Sequence, residues 1–146
     1  MSLKDRLADD YKEALKARDS VRKSTISLVR AAIKKYEIDN RTELDEQGII
    51  GILTKEVKTR KDALSDFEKA GRTDLIDSYS KEIEVLKEYL PEQLSEDELR
   101  KIILETKAEL GVEGKAGMGR LMGAVMPKVK GLADGGDVKK IVMEVL

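Results

Sequence analysis

The fold is decided by residues 84–99, which read EVLKEYLPEQLSEDEL. An amphipathic helix enters this stretch and must stop at Pro91, because proline has no N–H to donate and disfavours helical backbone in the residue before it. A second helix starts inside the same stretch, where Ser95 is followed three residues later by Glu98 in the pattern of a capping box. The stretch therefore predicts two helical domains, residues 1–90 and 95–146, joined by a short hinge.

Upstream of the hinge, apolar residues recur at intervals of three and four, the period of one face of a helix. Four stretches show this period. The breaks between them fall at residues 18–20, 40–47 and 70–73. We expect Thr73 or Asp74 to cap the fourth helix and that helix to run as far as Leu90. Four helices with short connections predict an antiparallel bundle.

The composition changes after residue 110. Eight of the eleven glycines lie in residues 111–146, and none of the five aromatic residues does. Apolar spacing predicts three helices after the hinge, at about residues 96–110, 118–129 and 137–146. Pro127 falls inside the middle one and is expected to kink or end it. The chain is therefore predicted to be all-α, with an N-terminal helical bundle and a small C-terminal three-helix domain.

The residue types on which most active sites depend are missing. The 146-residue chain contains no histidine and no cysteine, which removes the commonest general base, the commonest metal ligand and all thiolate chemistry. Ser20 with Lys23, and Ser78 with Lys81, have the spacing of a serine–lysine nucleophile, but both pairs lie on charged helix surface. No carboxylate cluster has the spacing of a calcium loop. We predict no catalytic residue, no metal and no cofactor.

A Gly-x-Gly sequence at residues 117–119 lies at a predicted helix start between Lys115 and Arg120. It lacks the spacing of a Walker loop and no strand precedes it, so a nucleotide site is disfavoured. A simpler anion site, built from free N–H groups at a helix N-terminus, fits it better. Residues 111–146 carry six basic and four acidic side chains, which suits contact with phosphate, although two excess charges alone favour an ordinary surface.

Two further patterns have more than one reading. The cations of the third helix, Lys55, Lys58, Arg60 and Lys61, are interleaved with carboxylates. We therefore interpret them as solvated ion pairs. Gly119 and Gly123 allow close approach of a second backbone, and the sequence leaves open whether that backbone is a neighbouring helix or a ribose-phosphate chain.

The N-terminus reads MSLKD and enters an amphipathic pattern without an apolar region typical of a signal peptide. No stretch approaches the roughly 18 apolar residues of a membrane-spanning helix. These features predict a cytoplasmic protein without a membrane partner.

Three stretches resemble the YqeY family: residues 84–99, residues 56–64 (EVKTRKDAL) and residues 122–135, which contain MGAVMPKVKG and ADG. This family is similar to the C-terminal tail region of the B subunit of the tRNA-dependent Asp/Glu amidotransferase. The resemblance implies an N-terminal helical bundle and a smaller helical domain that contacts the body of a tRNA, away from the chemistry. The amidase and kinase-like parts of that enzyme have no counterpart in this chain.

Carried onto this sequence, the resemblance implies tRNA-facing residues in the C-terminal domain. They are Gly119, Gly123, Lys128, Lys130 and Gly131, with Arg120 as an addition. Leu132 departs from the pattern, because many relatives are expected to carry a basic residue there. With no aromatic residue in the domain, recognition would use RNA shape and backbone rather than base stacking.

We therefore predict a non-catalytic tRNA-binding or tRNA-amidotransferase-like accessory protein that acts through its C-terminal domain. The alternative is a protein–protein adaptor that docks a partner on the N-terminal bundle. Salt dependence separates the two, since phosphate contacts weaken steeply with added salt.

Overall fold

The computed structural model describes residues 1–146 and contains seven α-helices and one short 3₁₀ turn. The helices are α1 (Leu3–Ala17), α2 (Ser20–Asn40), α3 (Glu46–Ala70), α4 (Thr73–Lys87), α5 (Glu96–Leu110), α6 (Met118–Val129) and α7 (Gly135–Val145). The predicted all-α fold is confirmed. The chain forms two compact units, Met1–Leu90 and Pro91–Leu146. None of the helices is long and apolar enough to cross a bilayer.

Side-chain caps begin three of the four helices in the first unit. Ser2, Asp19 and Asp45 each accept a hydrogen bond from the backbone N–H three residues further on, at 3.1, 3.1 and 2.8 Å. The cap predicted for α4 is wrong, because the residue before this helix is Arg72, whose side chain makes no capping bond. That side chain instead reaches forward to the Asp74 carboxylate at 3.1 and 3.2 Å.

α4 ends at Lys87, three residues earlier than the sequence predicts. The next residues turn more tightly, and the N–H of Tyr89 bonds a carbonyl three residues back at 3.2 Å. This turn buries the Tyr89 ring and lets its hydroxyl donate to the carboxylate of Asp10 in α1. Burial, together with that hydrogen bond, raises the pKa of the Tyr89 hydroxyl. Arg22 of α2 completes the cluster, with a guanidinium nitrogen 3.8 Å from the same carboxylate.

The core of the first unit is aliphatic apart from Tyr89. Its buried members are Leu3, Leu7, Ile26, Val29, Ile33, Ile49, Leu53, Val57, Ile83, Leu86 and Tyr89. They come from all four helices and from the turn after α4, so the four helices of the bundle share one core.

Arg60 continues the buried stripe of α3 one turn after Val57, and only 6% of it is exposed. Its guanidinium donates to the Glu56 carboxylate at 2.7 Å and to the Glu56 carbonyl at 3.1 Å. The carboxylate of Glu82 in α4 lies 3.6 Å away, and Nε of Arg60 is buried without a partner. The interpretation of the α3 cations as solvated pairs is therefore wrong for Arg60, whose spacing from Val57 places it on the core face.

The second unit packs α5, α6 and α7 around its own aliphatic core. The buried residues are Leu99, Ile103, Val112, Leu121, Val125, Val129, Val138, Ile141 and Val142. Ser95 caps α5 by accepting the Glu98 N–H at 3.1 Å, as predicted, and its hydroxyl also donates to the Glu98 carboxylate at 3.0 Å. α6 passes through Pro127 and ends two residues later.

Residues 91–94 are held to the turn that follows α6. The N–H of Leu94 donates to the carbonyl of Leu132 at 2.8 Å. The side-chain amide of Gln93 donates to the carbonyls of Gly131 at 2.9 Å and Pro91 at 2.8 Å. Two hydrogen bonds thus fix the segment that enters α5 to this turn, and the bond from Gln93 to Pro91 lies within the segment itself.

Candidate nucleic-acid interface

Residues 114–133, which include the whole of α6, contain four cations and no carboxylate. The cations are Lys115, Arg120, Lys128 and Lys130. The unit as a whole is not basic: residues 91–146 hold nine basic and ten acidic side chains, a net charge of −1. Positive charge is therefore a local property of the α6 segment and not of the unit.

α6 presents two contrasting faces. Its buried face carries Leu121, Val125 and Val129 at four-residue spacing. The other face carries Gly119, Gly123 and Pro127 at the same spacing, and all three are exposed. We call these three residues the glycine–proline ridge. A Cβ atom added at Gly119 or Gly123 would meet no atom within 4 Å, so packing on a neighbouring helix does not explain either glycine.

Pro127 also changes the backbone of this ridge. It has no N–H, so the carbonyl of Gly123 lacks its usual helical donor four residues on. That carbonyl belongs to an exposed residue. The ridge therefore combines room for close approach with a carbonyl that lacks its helical N–H donor.

The cations beside the ridge differ in their availability. Arg120 and Lys130 are exposed, and neither side chain makes an ion pair or a hydrogen bond. Lys128 is engaged: its ammonium donates to the Thr106 hydroxyl at 2.9 Å and lies 3.2 Å from the Glu109 carboxylate, both in α5. Among the candidate phosphate contacts, Arg120 and Lys130 are thus free, whereas Lys128 connects two helices.

Gly131 has a conformational reason to be glycine, since its φ of 77° lies in the left-handed region. It closes the turn after α6, and its carbonyl accepts the amide of Gln93 at 2.9 Å. Lys130 directly precedes it, so this turn fixes the backbone from which the Lys130 side chain extends. The neighbouring Leu132 uses its carbonyl in the bond to Leu94.

The start of α6 is less open to anions than the sequence predicts. A 3₁₀ turn, Lys115–Gly117, precedes the helix. In it the N–H of Gly117 bonds the carbonyl of Gly114 at 3.0 Å, and the N–H of Met118 bonds that of Lys115. Gly117 is also packed, because an added Cβ would lie 2.9 Å from the Val112 side chain. Phosphate contact at this end would rest on side chains rather than on free N–H groups.

Together these features describe an all-α protein whose second unit exposes a glycine-rich helix face flanked by unpaired cations. The structure contains no group of three or more His, Cys, Asp or Glu side chains placed to hold a metal ion. A surface of this kind suits a polyanionic backbone, because small residues admit close approach while cations neutralise phosphates.

Comparison with known proteins places the chain in a family. Residues 4–146 match the family described as Yqey-like protein, and the chain belongs to it. The resemblance predicted from the three sequence stretches is thereby confirmed.

Several relatives carry the name "Altered inheritance of mitochondria protein 41, mitochondrial". The Kluyveromyces lactis protein is 38% identical over 84 residues, which cover 57% of this chain and 45% of the relative. The Lachancea thermotolerans protein is 39% identical over 58% of this chain and 46% of the relative. The match thus spans less than half the length of these two proteins. The Pyrenophora tritici-repentis protein is 27% identical over 97% of this chain and 79% of its own length.

The names of these relatives correct one prediction. The cytoplasmic location expected from the sequence is wrong on this comparison, because the relatives are named as mitochondrial proteins.

Proposed function

We propose that this protein is a non-catalytic accessory factor that binds tRNA through the glycine–proline ridge of α6 and the turn at Lys130 and Gly131. One observation carries the proposal. Gly119 and Gly123 face open space, in a 20-residue segment that has cations but no carboxylate. Exposed glycines inside a helix are unfavourable for folding alone, so a face that keeps two of them fits a contact surface.

The chemistry of the ridge favours a sugar-phosphate backbone over bases. The second unit has no aromatic side chain on which bases could stack. Folded RNA presents phosphates and 2′-hydroxyls across a wide, shallow groove, which a narrow ridge can approach. The Gly123 carbonyl can accept from a 2′-hydroxyl, and Arg120 and Lys130 can pair with phosphates on either side.

The family resemblance points the same way. The tail of the amidotransferase B subunit, to which the YqeY family is similar, contacts the body of its tRNA. The names of the mitochondrial relatives mention no RNA, so the support is the ridge and the resemblance rather than the relatives.

The proposal is tested by titrating the full-length protein with total tRNA at about 50 and about 200 mM salt. Two phosphate contacts, from Arg120 and Lys130, predict an affinity that falls roughly 7- to 12-fold between these salt concentrations. The variant Arg120→Glu/Lys130→Glu should lose binding at both. Its matched control is Lys139→Glu/Lys140→Glu, which reverses two exposed, unpaired cations of α7. Lys128 is left intact, because its substitution would also break the bond to Thr106.

Retention of binding by the control, with loss in the ridge variant, would support the proposal. The absence of tRNA binding at about 50 mM salt would refute the proposal. Contacts between cations and phosphates are stronger at this salt concentration than at about 200 mM, so binding through them should be detected here. Equal loss in both variants would show that net charge, and not this face, determines the affinity. Either result would redirect the search to a protein partner for the N-terminal bundle.

A further inference from the structure

The first unit has a strongly basic helix face of its own, on α2. In a chain with 28 basic and 29 acidic side chains, residues 20–36 of this helix carry five cations and no carboxylate. They are Arg22, Lys23, Arg30, Lys34 and Lys35. The guanidinium of Arg22 is paired with the Glu88 carboxylate at 2.7 Å. The other four are exposed and make neither an ion pair nor a hydrogen bond, so α2 keeps four uncompensated positive charges.

The neighbouring helix α1 does not neutralise this face. The ring of Tyr11 borders it, with its centre 5.3 Å from the guanidinium carbon of Arg30. This cation–π contact orients the guanidinium and leaves its N–H donors free for an anion. The exposed carboxylates of α1 lie on a different row of that helix, and none is within 4 Å of the four cations. They are Asp5, Asp9 and Glu13.

A row of short side chains runs along α2 between these cations. Four exposed residues follow one another at intervals of four, three and four, which places them in line on the helix surface. They are Ser20, Ser24, Ser27 and Ala31, and we call them the serine row. By the same spacing Lys23, Arg30 and Lys34 flank the row on one side, and Lys35 flanks it on the other.

The hydroxyl groups of the serine row are available to a ligand. The Thr25 hydroxyl, on the buried side of the same helix, donates to the carbonyl of Val21 at 2.8 Å. The three serine hydroxyls make no such bond to the backbone and are exposed. The outer face of α2 therefore offers hydroxyl donors as well as cations.

The length and chemistry of this face determine the ligand class that fits it. From Lys23 to Lys35 the helix rises about 18 Å, so the cations are spread too far for one small anion to meet them together. Charges repeated over such a length suit a polymer of anions. Lysine, arginine and serine side chains are the usual contacts to phosphate oxygens in nucleic acids. The serine row also lets a sugar-phosphate backbone approach closely, as the glycine–proline ridge does in the second unit.

We propose that the outer face of α2 is a second contact for the RNA backbone, made by the first unit. Lys23, Arg30 and Lys34 pair with phosphates, and the hydroxyls of Ser24 and Ser27 donate to phosphate oxygens between them. The ligand is the tRNA of the proposed function, on which this inference rests, but the surface is a different one.

The salt dependence of tRNA binding by the full-length protein tests the second contact. Between about 50 and about 200 mM salt, Arg120 and Lys130 alone predict a fall in affinity of roughly 7- to 12-fold. Three further phosphate contacts raise the expected fall to roughly 130- to 500-fold. The variant Lys23→Gln/Arg30→Gln/Lys34→Gln should weaken binding about tenfold or more at about 50 mM salt. It should also return the fall to roughly 7- to 12-fold.

A control with the same change in net charge separates this face from charge in general. Lys58→Gln/Lys61→Gln/Lys69→Gln removes three exposed, unpaired cations of α3. It should leave the affinity and its salt dependence unchanged. Far-UV circular dichroism checks that both triple variants keep their helical content, so that a loss of binding reflects the α2 face.

A second pair of variants tests the serine row without any change in charge. In Ser24→Gln/Ser27→Gln, longer side chains stand between the cations and the hydroxyls are gone, so binding at about 50 mM salt should weaken about fivefold. Ser65→Gln/Ser78→Gln makes the same change at exposed positions of α3 and α4 and should leave the affinity unchanged. Polyglutamate, which has carboxylates but no phosphates, should bind the unsubstituted protein at least about tenfold more weakly than tRNA.

The outcomes distinguish this contact from the ridge. A fall of only 7- to 12-fold in the unsubstituted protein, with no effect of the α2 variant, would overturn the second contact and leave the ridge in place. Weaker binding in the α2 variant, with none in Arg120→Glu/Lys130→Glu, would support α2 and overturn the ridge. Equal weakening in the α2 and α3 variants, or polyglutamate binding as tight as tRNA binding, would overturn RNA recognition by this face. The absence of tRNA binding at about 50 mM salt would overturn both contacts.

Discussion

Replacing Gly119 and Gly123 by alanine should stabilise the second unit and weaken RNA binding at the same time. Neither glycine has a positive φ, and a Cβ at either position would lie in open space. Alanine is therefore accommodated in the folded unit without strain. On the ridge, however, each methyl group would project from the face that we propose to meet the RNA backbone.

The size of the stabilisation follows from the helix positions. Glycine in a helix interior is unfavourable by about 0.5–1 kcal/mol relative to alanine. Gly123 lies in the middle of α6 and should yield the full effect, whereas Gly119, the second residue of the helix, should yield less. We expect the free energy of unfolding of the second unit to rise by about 1–1.5 kcal/mol.

Two assays measure the two effects. Hydrogen exchange at buried amides of α6, such as that of Val125, reports the opening of the second unit. Titration with tRNA at about 50 mM salt reports binding, which should weaken about tenfold, the equivalent of about 1.4 kcal/mol. The matched control is Gly51→Ala in α3, where an added Cβ also meets nothing within 4 Å. It should leave tRNA binding unchanged.

Unchanged tRNA affinity in the doubly substituted protein would refute the claim that the glycine–proline ridge contacts RNA. Faster hydrogen exchange, which means lower stability, would refute the claim that these two glycines face open space. Only higher protection combined with weaker binding agrees with the reasoning.

Three further predictions concern the first unit, which contains every tyrosine of the chain and can therefore be followed by tyrosine fluorescence. Arg60→Met should lower its free energy of unfolding in urea by about 2–3 kcal/mol, because two carboxylates lose their buried partner, whereas the exposed control Lys58→Met should change it by about 0.5 kcal/mol or less; equal effects would contradict the burial of Arg60. The hydrogen bond from Lys4 lowers the pKa of Glu37 from its ordinary 4.5, so its stabilising contribution is present above that value and is lost as the pH falls through the lowered pKa. Glu37→Gln should thus be less stable than the unsubstituted protein above about pH 5 and equally stable in strong acid, and a stability difference that persists in strong acid would count against the ion pair. The pKa of Tyr89 is raised from 10.0, so the contribution of its hydroxyl to the free energy of unfolding is lost as the pH rises through the raised pKa. Tyr89→Phe should remove the tyrosinate absorbance step that occurs at the highest pH. Survival of that step would show that another tyrosine causes it.

Local patterns predicted the helices well, and contacts between distant residues account for the differences. The bounds of α6 follow directly from its apolar spacing. The early end of α4 does not, because Tyr89 turns away to reach Asp10, 79 positions back in the chain. The burial of Arg60 depends on its packing against α4, and its i, i+3 spacing from Val57 was the only signal in the sequence.

The candidate interface shows the same limit at the level of single residues. Gly117 and Gly119 look alike in the sequence, yet an added Cβ at the first would lie 2.9 Å from Val112 and at the second would meet nothing. Lys128 and Lys130 are two positions apart, but only the first reaches Thr106, 22 residues away. Sequence identifies the residue types of such a surface, whereas tertiary packing decides which of them remain available.

The side chain of Gln93 joins the carbonyls of Pro91 and Gly131, which has a consequence for how this unit can be transplanted. Residues 91–94 look like a spacer between two domains. Gln93 and Leu94, however, make hydrogen bonds to the turn that carries Lys130. A graft of the C-terminal unit onto another protein must therefore begin at Pro91. A graft that begins at Ser95 would lack Gln93 and Leu94. The turn would then lose the two hydrogen bonds that hold it, at the place where we propose that it meets a phosphate.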